Sequence, residues 1–230
     1  RDWYIWREGW ETWQLISGTS EFLEAPEQNV IDKEEVIEAP EVIQVKNLHV
    51  GYGKQPALNG LNLTVRTGEI FGFLGNNGAG KTTTIHSVLG LMPAMSGSIS
   101  ILGMDPSRDH LSILQKTGFC PERDEPYDWI KLRTLFSVGR HAFSSWDSQL
   151  CADLAKRFDL DTSKAIKELS KGMAAKARLM MALSHRPECL ILDEPTSGLD
   201  PASRNELLSI ISDVSRSSGV TTIFSSHNLH

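Results

Sequence analysis

The sequence predicts an α/β fold built on a mostly parallel sheet, and three observations predict it. The apolar run Ile70-Phe71-Gly72-Phe73-Leu74 feeds a glycine-rich turn and then a helical pattern from Thr83 to Leu89. A second run, Cys189-Leu190-Ile191-Leu192, is apolar without alternation, as in a strand covered on both faces. Between the two, from Tyr127 to Leu183, the β signal fades and helical spacing dominates.

The first of these signals carries chemistry. Residues Gly75-Asn76-Asn77-Gly78-Ala79-Gly80-Lys81-Thr82 fill the pattern G-x-x-x-x-G-K-[ST] at every fixed position. The strand before it and the helix after it are the context that the pattern needs. Glycines let successive backbone N–H groups turn inward around phosphate oxygens, and the new helix aims its positive dipole end at them. Lys81 can then reach the β/γ-phosphates and the Thr82 hydroxyl can ligate Mg²⁺. Average residue usage produces the four fixed positions by chance in roughly one chain in a hundred of this size. A plain glycine turn with a surface lysine is the weaker reading, so the chain is expected to bind a nucleoside triphosphate on a P-loop NTPase core.

The remaining elements follow in order. Val42–Val50 and Leu58–Val65 read as strands of an antiparallel β subdomain around the turn Gly51-Tyr52-Gly53-Lys54. Glu69–Leu74 is the buried strand that enters the phosphate loop, and Gly97–Leu102 and Lys116–Cys120 are short strands. Candidate helices span 131–143, 147–158 and 171–184, a helical subdomain of about 122–184. After Cys189–Leu192, a helix runs from Ala202 to about Ser215 and a last strand covers Val220–Phe224.

Residues 1–40 differ from the rest. Trp3, Trp6, Trp10 and Trp13 fall on one face if the segment is helical, as in a helix lying on a membrane or docking on a permease. A small hairpin around Arg7-Glu8-Gly9, or a piece of a neighbouring domain, explains the same residues. Residues 19–40, with Pro26, Pro40 and many Glu, read as an acidic linker. The nucleotide-binding α/β domain is therefore expected over 41–230.

Composition sets further bounds. With 230 residues and 40% hydrophobic content, the chain can bury a core in one domain. Residues 1–40 hold ten acidic and three basic side chains, a net of −7 against −6 for the whole chain, which leaves +1 for residues 41–230. A body so close to neutral has no basic field to collect nucleic acid. No apolar run approaches the ~20 residues that cross a bilayer, and no signal-peptide core follows the first residues. Cys120, Cys151 and Cys189 lack paired or metal-ligand spacing and are expected to be reduced and structural. The chain has no initiator Met and stops three residues past His227, so a piece of a longer polypeptide is expected.

Asp193-Glu194 directly follows the apolar run Cys189–Leu192. An acid there can hold Mg²⁺ through a water, and the next can position and deprotonate an attacking water. Leu169-Ser170-Lys171-Gly172-Met173 begins at a predicted helix N-terminus, Asp200 lies in Ser197-Gly198-Leu199-Asp200, and His227 closes the last strand. In this order the motifs resemble the nucleotide-binding domain of ATP-binding cassette (ABC) transporters over about residues 41–230. Leu169–Ala182 with Cys189–Pro201, and the stretches Tyr127-Asp128-Trp129 and Ser145-Trp146-Asp147, resemble the exporter branch with small separate permeases for antibiotics, peptides or lipids.

The resemblance implies roles for the matching positions. Tyr52 would stack on adenine, although an exposed turn aromatic explains it too. Asn77, Gly78, Gly80, Lys81, Thr82 and Thr83 would cradle the phosphates and Mg²⁺, within a loop that also contains Gly75, Asn76 and Ala79. Glu194 would be the catalytic base and His227 the group that senses the γ-phosphate. Ser170 and Gly172 would reach the nucleotide of a second copy, with Asp200 coupling the two sites. The partners implied are that second nucleotide-binding domain and an integral-membrane permease near residues 122–146. The location implied is the cytoplasmic face of the cell membrane. Absence of the family's last strands and helix beyond His230 predicts one uncovered sheet edge.

Three positions at two sites depart from the family. Glu122 stands where Gln is usual, and it could reach Mg²⁺ through water or serve only as a linker residue. Lys171 and Met173 replace the commoner Gly and Gln of the signature, while Gly172, which close backbone approach demands, is kept. Two other functions stay open on sequence. One is a non-transport ABC ATPase of the translation, DNA-repair or chromosome type; the other is a nucleotide-sensing regulatory subunit.

Overall fold

Parallel strands with both faces covered carry the site, and the apolar runs form them. A computed structural model describes residues 3–7, 14–16, 39–53, 55–122 and 128–227, the first two stretches as backbone. In chain order the strands are β1 (Trp3–Arg7), β2 (Gln14–Ile16), β3 (Glu41–Tyr52), β4 (Gln55–Arg66), β5 (Ile70–Gly75), β6 (Ser96–Ile101), β7 (Thr117–Cys120), β8 (Cys189–Leu192) and β9 (Thr221–Ser226). The helices are α1 (Lys81–Val88), α2 (Pro106–Lys116), α3 (Leu132–Ala142), α4 (Ser148–Arg157), α5 (Lys171–Leu183) and α6 (Pro201–Ser218).

One sheet has the order β2-β1-β5-β9-β8-β7, and the other has β4-β3-β6. Within the first, β5, β9, β8 and β7 run parallel to one another. Side chains alternate across it with the period of two that a strand imposes. Phe71, Phe73, Cys189, Ile191 and Ile223 face a core shared with the antiparallel sheet and α1. Cys120, Leu190 and Leu192 face a second core shared with the helices that follow β7. Every residue of β5 and β8 is buried, as two covered faces require.

The predicted strands and helices from residue 41 onward appear within a few residues of their expected ends. Three differences have physical causes. First, the tryptophan segment is extended, not helical, over its described residues 3–7 and 14–16. β1 and β2 form an antiparallel pair, and β1 also pairs antiparallel with β5, so the hairpin reading of the segment stands and the helical face does not. Trp10 and Trp13, the Arg7–Gly9 turn beyond Arg7, and residues 17–38 lie outside the described residues. Second, β1 pairs with the side of β5 away from β9, so β5 lies inside the sheet. Third, α2 is a helix that apolar spacing does not predict. Its start signal is nonetheless in the sequence: Asp105 caps it by accepting the Ser107 N–H at 2.9 Å, and Pro106 fills the first helical position.

Other ends are set locally. α6 extends to Ser218 and stops at Gly219, whose φ of 68° is the left-handed conformation of a helix end. Gly97, with φ 91°, crosses the irregular stretch of β3 so closely that a Cβ would lie 2.3 Å from the Asn47 carbonyl oxygen. The cysteines are free and buried, and burial pushes the Cys189 thiol up to about 12. Among the described residues no helix is long and apolar enough to cross a membrane.

Gly118 is where β7 meets the end of α5. A Cβ there would lie 2.4 Å from the Ala182 carbonyl oxygen, which the helix cannot yield without moving. Gly118→Ala is therefore expected to lower stability by about 1–3 kcal/mol, read as a lower urea midpoint at unchanged slope.

Three helices begin on aspartates. Asp105 caps α2, Asp147 caps α4 and Asp200 caps α6. Hydrogen bonds hold all three carboxyls below the usual range: the Ser107 hydroxyl for Asp105, the Leu150 N–H for Asp147 and the Ser203 hydroxyl for Asp200. A depressed folded value means that the unfolded chain takes up protons first as the pH drops. The contribution of these groups is present above about pH 4 and is lost as pH falls through the folded values. Asp200→Asn keeps a capping oxygen but cannot titrate. Its thermal midpoint should fall less steeply than the parent's below about pH 4, followed by circular dichroism.

Candidate functional site

Parallel register brings the chemistry together. Leu74 of β5 pairs with Ser226 of β9, and Leu192 of β8 pairs with Phe224, so all three chains leave the sheet at the same end. Cys120 of β7 pairs with Leu192 at that end too. The phosphate loop follows β5, Asp193-Glu194 follow β8, His227 follows β9 and Glu122 follows β7. Ligand sites of open parallel sheets form beyond these carboxyl ends of the strands.

The phosphate loop takes the expected form. Gly78 has φ 78° and Gly80 has φ 106°, conformations that a glycine adopts without cost. Gly80 stands at the N-cap of α1 and supplies no side-chain cap, so the first turn points bare N–H groups outward. Asn76, Asn77, Gly78 and Thr82 are exposed, whereas Ala79, Lys81 and Thr83 are buried. Gly75 ends β5 and is itself buried.

Lys81 is the pivot. Its Nζ donates to the Gly75 carbonyl and lies 3.4 Å from the Asn76 carbonyl. It also lies 3.1 Å from Glu194 Oε1, with both side chains only 6% exposed. A buried charge pair of this kind is held because neither member can be left alone. The contact is a close pairing of charges without hydrogen-bond geometry, for Glu194 Oε1 is buried and accepts no hydrogen bond. The other oxygen, Oε2, lies 2.7 Å from His227 Nδ1 and 3.2 Å from the His227 N–H. His227 itself is half-exposed, so the chain Lys81–Glu194–His227 runs from the buried floor of the loop toward solvent.

Glu194 has φ 48°, a left-handed conformation that costs a residue with a Cβ about 1–2 kcal/mol. Two bonds hold it there: its N–H donates to Ser225 Oγ at 2.7 Å, and its carbonyl accepts from the Ser197 N–H at 3.0 Å. Strain of this sort, over-determined by its surroundings, is characteristic of working sites. Asp193 is buried beside it and accepts from Ser225 Oγ at 2.6 Å. Ser225 has no signature in the sequence, because a serine inside a strand carries no signal.

The site fits a magnesium–nucleotide complex in its donor set. Mg²⁺ keeps several waters and takes one or two protein ligands plus substrate phosphates. The exposed Thr82 hydroxyl and the Asp193 carboxylate are hard oxygens of that kind, at the phosphate end. Glu122 is exposed, two residues past β7, at the level of the same sheet end.

Tyr52 ends β3 with its ring 61% exposed, free to meet a flat apolar ligand. The signature residues sit elsewhere. Ser170 caps α5, its Oγ accepting from the Met173 N–H at 3.2 Å. A Cβ on Gly172 would lie 3.3 Å from Ser203 Oγ, so α5 and α6 meet at their first turns through this glycine. Lys171 Nζ would lie 3.5 Å from a Cβ on Gly198, which folds the signature against the Ser197–Asp200 loop. Asp200 accepts from the Ala202 and Ser203 N–H groups and from the Ser203 hydroxyl. Among the described residues no hydrogen bond or ion pair joins the signature turn to the phosphate loop of its own chain. Tyr127 lies outside the described residues; Trp129 is exposed, and Trp146 packs against Gly139.

Comparison with known proteins agrees with this geometry. The sequence profile of the family described as ABC transporter matches residues 58–197, from β4 to just past Glu194. The chain is 35% identical over 190 residues to the bacitracin transport ATP-binding protein BcrA of Bacillus licheniformis, a match covering 82% of this chain and 62% of that protein. It is 33% identical over 191 residues to the linearmycin resistance ATP-binding protein LnrL of Bacillus subtilis (strain 168), covering 81% and 61%. The chain thus spans about three fifths of the length of these curated relatives. A solved structure of the ATP binding subunit of an ABC transporter superposes with a TM-score of 0.71 at 29% identity, covering 82% of this chain and 80% of the other. With a matched profile over more than half its length, the chain belongs to the ABC transporter family, as an ATP-binding domain of it.

Proposed function

We propose that this chain is the ATP-hydrolysing subunit of a transporter, closing on Mg-ATP as a head-to-tail pair to drive export through a separate membrane permease. The observation that carries the reading is the buried Lys81–Glu194 contact, which joins the phosphate loop to the acid after β8. The relatives named for bacitracin transport and linearmycin resistance support export as the direction. In this reading the chain lies at the cytoplasmic face, held to the membrane by the permease.

Charge dictates the order of events. Arriving triphosphate oxygens compete with Glu194 for the Lys81 ammonium, and they carry more negative charge than one carboxylate. Lys81 turns to the phosphates, and the first-turn N–H groups of α1 take the remaining oxygens. Glu194 Oε1, buried and without a hydrogen bond, is then free to accept a proton from water placed beyond the γ-phosphate. His227 holds the other carboxylate oxygen, which keeps Glu194 aimed while its partner changes. Mg²⁺, when bound, supplies positive charge that offsets the charge on the β/γ-phosphates. Thr82 and Asp193 are the residues assigned to hold it, and Glu122 is assigned an outer position reached through water. Tyr52 stacks on the base.

Ser170 and Gly172 are assigned to the nucleotide of the second copy. Their helix starts at the signature turn, and that turn packs on the Ser197–Asp200 loop, where Asp200 fixes the start of α6. Each copy thus completes the phosphate site of the other, and loss of the γ-phosphate removes the charge that held them. The segment from 122 to 146, with exposed Trp129, is the surface assigned to the permease.

Glu194→Gln removes the carboxylate that competes for Lys81 while keeping its size. ATP binding should be retained or tighter, turnover should fall by at least about 10²-fold, and a dimer should accumulate on size-exclusion chromatography in Mg-ATP. Turnover at the parent rate would contradict the assignment of the base. Lys81→Ala should instead lose triphosphate binding, and its thermal midpoint should drop because Glu194 is left buried without a cation.

A further inference from the structure

We infer that Ser225 is a positioning residue for the reaction, a single hydroxyl that sets both acids of the site at once. The inference rests on the proposed Mg-ATP site and deepens it. Ser225 lies on β9 with 1% of its surface exposed. Its Oγ is 2.7 Å from the Glu194 N–H and 2.6 Å from Asp193 Oδ1.

The direction of both bonds is fixed by proton count. A backbone N–H can only donate, so Oγ accepts from Glu194. The hydroxyl has one proton, and the Asp193 carboxylate can only accept it. Donation from Glu194 leaves that proton for Asp193 alone. Both groups are buried, where an unpaired N–H or carboxylate oxygen is most costly.

Each bond governs a different acid. The bond to Asp193 fixes one oxygen of that carboxylate and hence the direction of the other, the oxygen assigned to the metal side. The bond to the Glu194 N–H anchors a residue in the left-handed conformation, φ 48°. That backbone turn carries the Glu194 carboxylate back across the strand ends to Lys81 and His227. β9 thus contributes two successive elements of the site, Ser225 inside the sheet and His227 beyond it. Parallel register with β8 makes the contact possible, since Leu192 pairs with Phe224 and Asp193 follows at the level of Ser225.

Thr and Val have nearly the same shape, and both suit a strand, so Ser225→Thr and Ser225→Val differ mainly in the hydroxyl. Ser225→Ala removes the hydroxyl without added bulk. The measurement is binding of a fluorescent ATP analogue to the full chain across a Mg²⁺ titration, and again in EDTA. Ser225→Val and Ser225→Ala should need about tenfold more Mg²⁺ for half-maximal binding, equivalent to about 1.4 kcal/mol. Their affinity in EDTA should stay within about twofold of the parent, and Ser225→Thr should match the parent in both. An unchanged Mg²⁺ requirement in both hydroxyl-free variants overturns the inference. So does an equal loss of affinity in EDTA, which marks a purely structural role. A parent protein that binds no ATP at any Mg²⁺ concentration overturns the proposed function itself, and this inference with it.

Discussion

Lys81 and Glu194 meet 3.1 Å apart in the interior, and most of the structure can be read as the means of bringing them there. They are 113 positions apart in the sequence, one at the start of a helix and the other past the end of a strand. Only a parallel sheet whose strands end level can join them. β9 lies between β5 and β8, and Ser225 within it and His227 just past it hold the two acids that follow β8. Two cores, one on each face, keep the register: a one-residue slip would turn Ile191 and Leu192 each toward the wrong core.

A buried charge pair is poor evidence of stability, because desolvation of two charges offsets much of their attraction. Its value here is readiness. The lysine is held at the floor of the loop, and the acid is held at the edge of it with one oxygen lacking a hydrogen bond. In the proposed cycle a richer anion takes the lysine from the acid, and the same event arms the acid. The left-handed turn at Glu194 is part of that arrangement, since an extended residue would continue along the line of β8.

Much of this was legible in the residues. The phosphate loop, the apolar run of β8, and the strand-ending positions of Asp193, Glu194 and His227 each have a local signature, and the structure puts them at one end of one sheet. What local patterns could not convey was pairing. Ser225 is one serine among many until β9 is laid against β8, and its two partners lie 31 and 32 positions away. The tryptophan segment misled for a related reason. Its spacing of three and four suits a helical face, but the unpaired edge of β5 supplies hydrogen bonds that favour an extended chain, and β1 takes them. α2 was missed despite Asp105-Pro106 because its apolar spacing is sparse: Pro106 and Ile113 are its buried residues. The sequence points Ser170 and Asp200 to a nucleotide; what the structure shows is each capping its own helix.

The central claim is that Lys81 exchanges Glu194 for phosphate. A crystal structure of the parent protein with Mg²⁺ and a non-hydrolysable ATP analogue tests it most directly. The account predicts Lys81 Nζ on β/γ-phosphate oxygens, Glu194 parted from it, and the Ser170–Gly172 turn of a second copy over the same phosphates. Nucleotide seated elsewhere, with Lys81 still 3.1 Å from Glu194, would contradict it.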